Sequence, residues 1–84
     1  MPDEFLPPNK IIFLRGVPDG YDVDELTTIF SRYVGFREVR MVAARKGIAF
    51  VEYEADEGAI AAKEATAGMQ IGEGGTLRVT FQRQ

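Results

Sequence analysis

Cysteine and histidine are both missing from this 84-residue sequence, and each absence excludes a class of chemistry. Without cysteine the chain has no disulfide and no thiolate metal site, which is typical of intracellular proteins. Without histidine it has neither the commonest general base nor the commonest metal ligand. No apolar run approaches the roughly 20 residues of a membrane-spanning helix, and no signal peptide is recognisable. The sequence therefore predicts no cofactor, no metal site and no membrane partner.

Positive charge is also in short supply, with 10 Lys and Arg residues against 13 Asp and Glu residues and a net charge of −3. This balance argues against a polyanionic partner unless the basic residues are collected on one surface. Catalysis is the least expected function. Small enzymes with the fold inferred below use an Arg and an Asn around a phosphate-binding loop, but the only Asn is Asn9, near the N-terminus. The sequence therefore predicts a binding module rather than an enzyme.

Periodicity divides the chain into four strands and two helices. The run 11–15 is short, apolar and rich in β-branched residues, which predicts a strand. Asp22 is placed to be the N-cap of a helix, with Glu25 three residues on as the returning cap and Gly35 as the end. The remaining predicted elements are a strand over 36–42, a strand over 48–53, a helix from Glu54 or Ala55 to Ala67 and a strand over 76–82, with turns at 43–47 and 71–75.

This order, β-α-β-β-α-β, predicts an α+β protein of the ferredoxin-like class. Right-handed crossovers place both helices on one face of a four-stranded antiparallel sheet and leave the other face open. The first and third strands are expected in the middle of that sheet. A stripe of small residues suits the second helix to close packing on the sheet, at Ala59, Ala62 and Ala65. Residues 1–8 are interpreted as a linker or the start of an expressed fragment, and 9–84 as the single domain.

Side-chain alternation then predicts what the open face carries. Phe13 and Arg15 point outward from the first strand, and Ile48, Phe50 and Glu52 point outward from the third. The inward positions of these two strands are Ile12, Leu14, Ala49, Val51 and Tyr53. Phe13 and Phe50 are therefore expected close together, as a platform on which the bases of a single strand can stack. Each stacked base contributes about 1–3 kcal/mol, whatever its identity.

Two short motifs carry a family resemblance. The octamer "KGIAFVEY" (46–53) resembles the longer signature of the RNA recognition motif (RRM), with Ile48 in place of the usual aromatic at the third position. The hexamer "IFLRGV" (12–17) is similar to the shorter signature, with Phe13 in its aromatic place and Gly16 where Asn is frequent. The resemblance covers the chain from about Asn9 to Gln82 and implies the fold described above.

A narrower resemblance lies in "LPPNKIIFLRGVP", "GFREVRMV" and "IAFVEYE", which are similar to the second, C-terminal RRM of the spliceosomal snRNP A and B-double-prime protein family. That resemblance implies a nuclear protein of the pre-mRNA splicing machinery with another RRM upstream. Its implied partners are single-stranded RNA or snRNA, bound weakly, and spliceosomal proteins. In that family the first RRM is the recognised binder of an snRNA hairpin.

The candidate RNA-contacting side chains are those that face outward or lie in the loop between the second and third strands: Phe13, Arg15, Arg40, Arg45, Lys46, Ile48, Phe50, Arg78, Thr80 and Gln82. Glu38 and Glu52 lie among them, and Glu52, on a central strand, would repel phosphate. Since Ile48 replaces a ring and the loop is short, we expect weak RNA binding with low sequence selectivity.

A protein-binding module is the alternative. Acidic residues collect on the predicted helical side and would suit a basic peptide, namely Asp22, Asp24, Glu25, Asp56 and Glu57. In that case the domain does not bind RNA appreciably.

Overall fold

A computed structural model describes residues 7–42, 44–72 and 75–82 of the chain. In order along the chain, the elements are β1 (Ile11–Arg15), α1 (Val23–Phe30), β2 (Phe36–Met41), β3 (Ile48–Tyr53), α2 (Asp56–Thr66), β4 (Gln70–Ile71), β5 (Gly75–Thr76) and β6 (Arg78–Phe81). Within these ranges no helix has the length and apolarity needed to cross a membrane. Most of the predicted 1–8 linker and the last two residues of the predicted domain lie outside the described residues.

Four of the strands form one antiparallel sheet in the order β2-β3-β1-β6. The two central strands are β1 and β3, as predicted from the order of elements. Both begin and end at the predicted residues. The predicted α+β, ferredoxin-like class is confirmed.

The core lies between the helices and one face of this sheet. All the predicted inward residues of β1 and β3 are fully buried, and they pack with Leu26 and Phe30 of α1 and with Ala59 and Ala62 of α2. Three alternating apolar residues of the 76–82 segment are also buried, namely Leu77, Val79 and Phe81. Burial of this apolar face stabilises the fold and leaves the opposite face of the sheet uncovered by helices.

Helix α1 begins as predicted but ends earlier. The Asp22 carboxylate accepts a hydrogen bond from the Glu25 backbone N–H at 3.0 Å, which is the expected N-cap. The helix ends at Phe30, however, and not at Gly35, which lies in the following turn with a φ of +78°. The carbonyl oxygen of Phe30 accepts from the Tyr53 hydroxyl at 2.7 Å and from the Tyr33 backbone N–H at 3.4 Å. Contacts with β3 therefore set this end.

The stripe predicted on α2 is only partly correct. Ala59 and Ala62 are buried, but Ala65 is exposed. Thr66 is buried instead, with its hydroxyl donating to the Ala62 carbonyl oxygen at 2.7 Å. That hydrogen bond satisfies the hydroxyl and lets a polar residue take a core position.

The single strand predicted over 76–82 is divided in two. Gly75–Thr76 pairs with Gln70–Ile71 in a separate small hairpin, and Arg78–Phe81 joins the main sheet. Between them Leu77 donates its backbone N–H to the Met69 carbonyl oxygen at 2.8 Å. The predicted turn over 71–75 thus belongs to this small hairpin. Glu73 and Gly74 of that turn, and Ala43 of the predicted 43–47 turn, lie outside the described residues.

Candidate functional site

The open face carries three rows of side chains that run across the sheet. Cross-strand pairing places each row on one level, because paired residues of antiparallel strands point to the same face. We name the rows by their chemistry. The aromatic row is Arg40, Phe50, Phe13 and Thr80; the basic row is Ile48, Arg15 and Arg78; the acceptor row is Glu38, Glu52, Ile11 and Gln82.

The aromatic row centres on two rings in direct contact. Phe13 and Phe50 are register partners, and their ring centroids lie 5.1 Å apart at an interplanar angle of 43°. Both side chains are half-buried, so each ring also keeps surface exposed to solvent. The predicted proximity of the two rings is therefore observed. Thr80, opposite Phe13, is only 6% exposed and offers little surface to a ligand.

The basic row lies next to these rings. The Arg15 guanidinium carbon is 6.0 Å from the centroid of the Phe13 ring, and Arg15 is the register partner of both Ile48 and Arg78. The Arg15 Nε atom is enclosed and has no acceptor within the described part of the chain. An enclosed donor without an acceptor is uncommon in folded proteins. Two facing arginines, one with an unused donor, provide a place for an anionic or carbonyl oxygen.

The predicted loop residues Arg45 and Lys46 are exposed at the end of the sheet that the basic row occupies. They line an open cleft of about 240 Å³ together with, among others, Pro18, Tyr21 and Met41. This arrangement extends the positive charge beyond the sheet.

The acceptor row is tied to arginines by ion pairs. Arg40 Nη2 lies 3.7 Å from Glu52 Oε1, and Arg40 Nη1 lies 3.6 Å from Glu38 Oε2. Arg37 Nε lies 4.0 Å from the second Glu52 oxygen. Arg40, predicted as a ligand contact, is therefore ion-paired with two carboxylates. Glu52 carries a partly compensated charge, which lowers the repulsion of phosphate expected from the sequence.

Arg37 is a residue of this surface that sequence reasoning missed. Strict alternation from Val39 would place Arg37 on the face opposite to Arg40. The register shifts between Phe36 and Glu38, however, in the manner of a β-bulge, and the Arg37 side chain reaches Glu52 on the open face. No local sequence signal marks this irregularity.

The site holds no arrangement suited to a metal ion, since the described residues bring no three Asp or Glu side chains together in a way that could ligate one. Its chemistry is therefore that of apolar rings, guanidinium donors and carboxylate acceptors.

Comparison with known proteins agrees with these features. Residues 12–74 match the family model described as RNA recognition motif. The chain is 48% identical over 82 residues, or 98% of its length, to "U1 small nuclear ribonucleoprotein usp102" of Schizosaccharomyces pombe. It is 38% identical over 78 residues, or 93% of its length, to "U2 small nuclear ribonucleoprotein B''" of Oryza sativa. The predicted resemblance to U-snRNP proteins is confirmed, whereas the assignment to their second RRM stays a prediction.

The chain spans about a third of the length of these relatives, 32% and 34% respectively. Among solved structures, the "MEC-8 C-terminal RRM domain bound to AGCACA" superposes with a TM-score of 0.76 at 27% identity, covering 88% of this chain and 90% of that one. The chain therefore belongs to the RNA recognition motif family, a family of non-enzymatic RNA-binding modules.

Proposed function

We propose that the open face of this domain binds single-stranded RNA weakly and with low overall selectivity, within a nuclear protein of the splicing machinery. The observation that carries the proposal is the half-exposed Phe13–Phe50 pair, 5.1 Å between centroids, beside the unpartnered Arg15 Nε. The rings supply stacking surface for bases, and the arginine supplies a donor to a phosphate or base oxygen.

Three features limit the affinity. Ile48 adds an aliphatic surface where a third ring would stack. Arg40 is engaged by Glu38 and Glu52, so a phosphate has to compete with two carboxylates for it. The net charge of −3 also provides no long-range attraction for a polyanion. Two stacked bases and a few charge contacts are consistent with weak binding.

The cellular setting is proposed from similarity. The relatives are named as U1 and U2 small nuclear ribonucleoproteins, which supports a spliceosomal and nuclear protein. They are about three times the length of this chain, which is consistent with a longer protein that contains another RRM upstream. Its partners would then include an snRNA and other spliceosomal proteins.

An NMR titration with the hexanucleotide AGCACA, the ligand named for the similar MEC-8 domain, tests the proposal. We expect chemical-shift changes in fast exchange at Phe13, Arg15, Phe50 and Arg78, and we expect these changes to become smaller as salt is added. The variant Phe50→Ala should keep its fold and weaken binding about 5- to 150-fold, which corresponds to the roughly 1–3 kcal/mol of one stacked base.

The matched control is Val34→Ala, which truncates an apolar side chain that is 68% exposed in the turn after α1. It should bind as the wild type does. The absence of shifts at millimolar oligonucleotide would contradict the proposal and favour the protein-binding alternative. Loss of the folded spectrum in Phe50→Ala would show that Phe50 supports the core.

A further inference from the structure

We infer that the acceptor row makes the open face prefer cytosine over uracil, and that Glu52 is the residue that sets this preference. The inference rests on the proposed function, because it concerns the base that stacks on Phe50. It adds a selectivity at one base position to binding that is otherwise tolerant of sequence.

The position of Glu52 places its carboxylate at the edge of such a base. Glu52 follows Phe50 by two residues on β3 and points to the same face. Same-face neighbours on a strand are about 6.6 Å apart, at about 3.3 Å per residue. That distance is comparable with the length of a pyrimidine and its exocyclic group. The acceptor row and the basic row lie on opposite sides of the aromatic row. A base stacked on the Phe50 ring therefore has one edge directed toward one of these two rows.

The Glu52 carboxylate is held in place but retains hydrogen-bonding capacity. Its oxygens lie 3.7 Å from Arg40 and 4.0 Å from Arg37. Both distances exceed those of hydrogen bonds to nitrogen donors, which are about 2.7–3.2 Å. The side chain is 18% exposed, so a ligand can reach it, while the two guanidinium groups restrict its movement. The lone pairs of Glu52 remain available to a donor supplied by a base.

Of the three other residues in the acceptor row, Glu38 and Gln82 carry side-chain acceptors, and Ile11, the partner of Glu52 on β1, is aliphatic. Glu38 is the register partner of Glu52 on β2. At the other end of the row the Gln82 side-chain oxygen is enclosed and accepts no hydrogen bond from any described residue. The donors nearest to Glu52, on Arg40, are directed at Glu38 and Glu52 themselves. A base edge that faces this row is therefore favoured if it donates and disfavoured if it only accepts.

Cytosine and uracil differ at the atom that this row would distinguish. Cytosine carries an amino donor at C4, whereas uracil carries a carbonyl oxygen there, and a carboxylate accepts from the cytosine amino group. The two bases are equal in size, so stacking on Phe50 contributes alike to both. When the C4 group is directed at Glu52, uracil sets its O4 oxygen against the carboxylate, which repels it, and the N3–H donor of uracil lies one ring atom away, where cytosine has an acceptor nitrogen.

The test compares the dissociation constants of the RNA hexamers C6 and U6 at low salt. For the wild type we expect C6 to bind at least about fivefold tighter than U6, the lower end of the discrimination by a side-chain–base hydrogen-bond pair. Glu52→Gln is isosteric and has both a donor and an acceptor, so it should bring the two constants within about twofold, mainly by tighter U6 binding. An amide spectrum of each variant verifies the fold.

The matched control is Glu64→Gln, the same chemical change at an exposed position of α2. It should keep the wild-type ratio of C6 to U6 binding. Equal binding of both hexamers by the wild type, or an unchanged ratio in Glu52→Gln, overturns this inference and leaves the proposed RNA binding intact. An equal gain for both hexamers in Glu52→Gln overturns it too, since that result is a general charge effect. Binding of neither hexamer overturns the proposed function itself.

Discussion

At the scale of single residues, Gly58 has a role that composition alone does not reveal. It is the third residue of α2, where glycine costs about 1 kcal/mol relative to alanine. A Cβ atom at this position would overlap the carbonyl oxygen of Val34 and lie 3.1 Å from the Tyr53 ring. The backbone of Gly58 does not have a positive φ, so the need for glycine is one of space. The missing side chain of Gly58 lets α2 approach the turn that follows α1.

We therefore expect Gly58→Ala to lower the free energy of unfolding by about 1–3 kcal/mol, the range for overpacking a tight contact, although alanine is the better helix former. Urea unfolding followed by circular dichroism measures the difference. The control is Ala61→Gly at an exposed position of the same helix, which should cost only the helix-propensity difference of about 0.5–1 kcal/mol. A more stable Gly58→Ala variant would refute the close approach of α2 to Val34.

Glu52 shows how far residue-level reasoning from the sequence reaches. Alternation correctly placed it beside Phe50 on the open face. Its ion pairs with two arginines were not predicted, because the Arg37 contact depends on the irregular register of β2 and the Arg40 contact on side-chain reach between strands. The role of such a residue in binding follows from its neighbours in space. Parity along a strand predicts the face and leaves the partners undetermined.

At the scale of elements, Tyr53, the last residue of β3, links this strand to the end of α1. Its side chain is fully buried, and its hydroxyl donates to the Phe30 carbonyl oxygen at 2.7 Å. Burial raises the pKa of Tyr53 well above its usual value of 10.0, and the proximity of Tyr33 raises it further. The hydroxyl therefore stays protonated in the folded protein under conditions where it ionises in the unfolded chain.

Replacing Tyr53 by Phe removes this hydrogen bond and leaves the Phe30 carbonyl with the longer Tyr33 contact alone. We expect a loss of about 1–2 kcal/mol in the free energy of unfolding at neutral pH. Chemical denaturation of both proteins under identical conditions measures it. A loss below about 0.5 kcal/mol would show that water or the Tyr33 amide satisfies the carbonyl equally well.

The same tyrosine predicts an alkaline loss of stability. Because its folded pKa is raised, the folded state holds its proton more tightly than the unfolded state does. The contribution is complete below the unfolded pKa of about 10 and is lost as the pH rises above it, by about 1.4 kcal/mol per pH unit. Between pH 10 and 11 the stability of the wild type should fall more steeply than that of Tyr53→Phe. Parallel curves would contradict the assignment.

The elements differ in how well the sequence predicts them, for a physical reason. Strands β1 and β3 were predicted at their observed bounds, because each alternates between a buried and an open face over its whole length. The end of α1 was not, since it depends on the contact of Tyr53 with Phe30, 23 residues earlier in the chain. The hairpin of β4 and β5 was not either, since it depends on pairing across a turn, as in the Leu77–Met69 hydrogen bond. Local periodicity carries no record of such contacts.

At the scale of the whole molecule, charge is separated between the two faces. The first turn of α1 contains Asp24 and Glu25, and that of α2 contains Asp56 and Glu57. All four are exposed, and each pair stabilises the positive end of its helix dipole. The acidity of the helical side is thus explained by helix stability. The open face has arginines in its basic row and carboxylates at its other end.

This separation predicts a modest dependence of RNA affinity on salt. Each phosphate neutralised on a single strand contributes about 0.7 to the slope of log affinity against log salt concentration. The positive groups of the site that make no ion pair among the described residues are those of Arg15, Arg78, Arg45 and Lys46. Phosphate contacts drawn from so few groups give a shallow slope compared with that of strongly basic nucleic-acid-binding proteins.

Arg78 is the group through which this prediction can be tested, since it is exposed on β6 and lies opposite Arg15. We expect Arg78→Gln to weaken RNA binding at low salt and to reduce the salt slope by about 0.7, the contribution of one phosphate contact. Because the lost contact is electrostatic, the binding of C6 and the binding of U6 should weaken by the same factor, in contrast to the effect of Glu52→Gln. The control is Arg32→Gln, which removes the same charge from an exposed position in the turn after α1. If both variants reduced the slope equally, the salt dependence would reflect net charge, and the open face would not be the path of the RNA backbone.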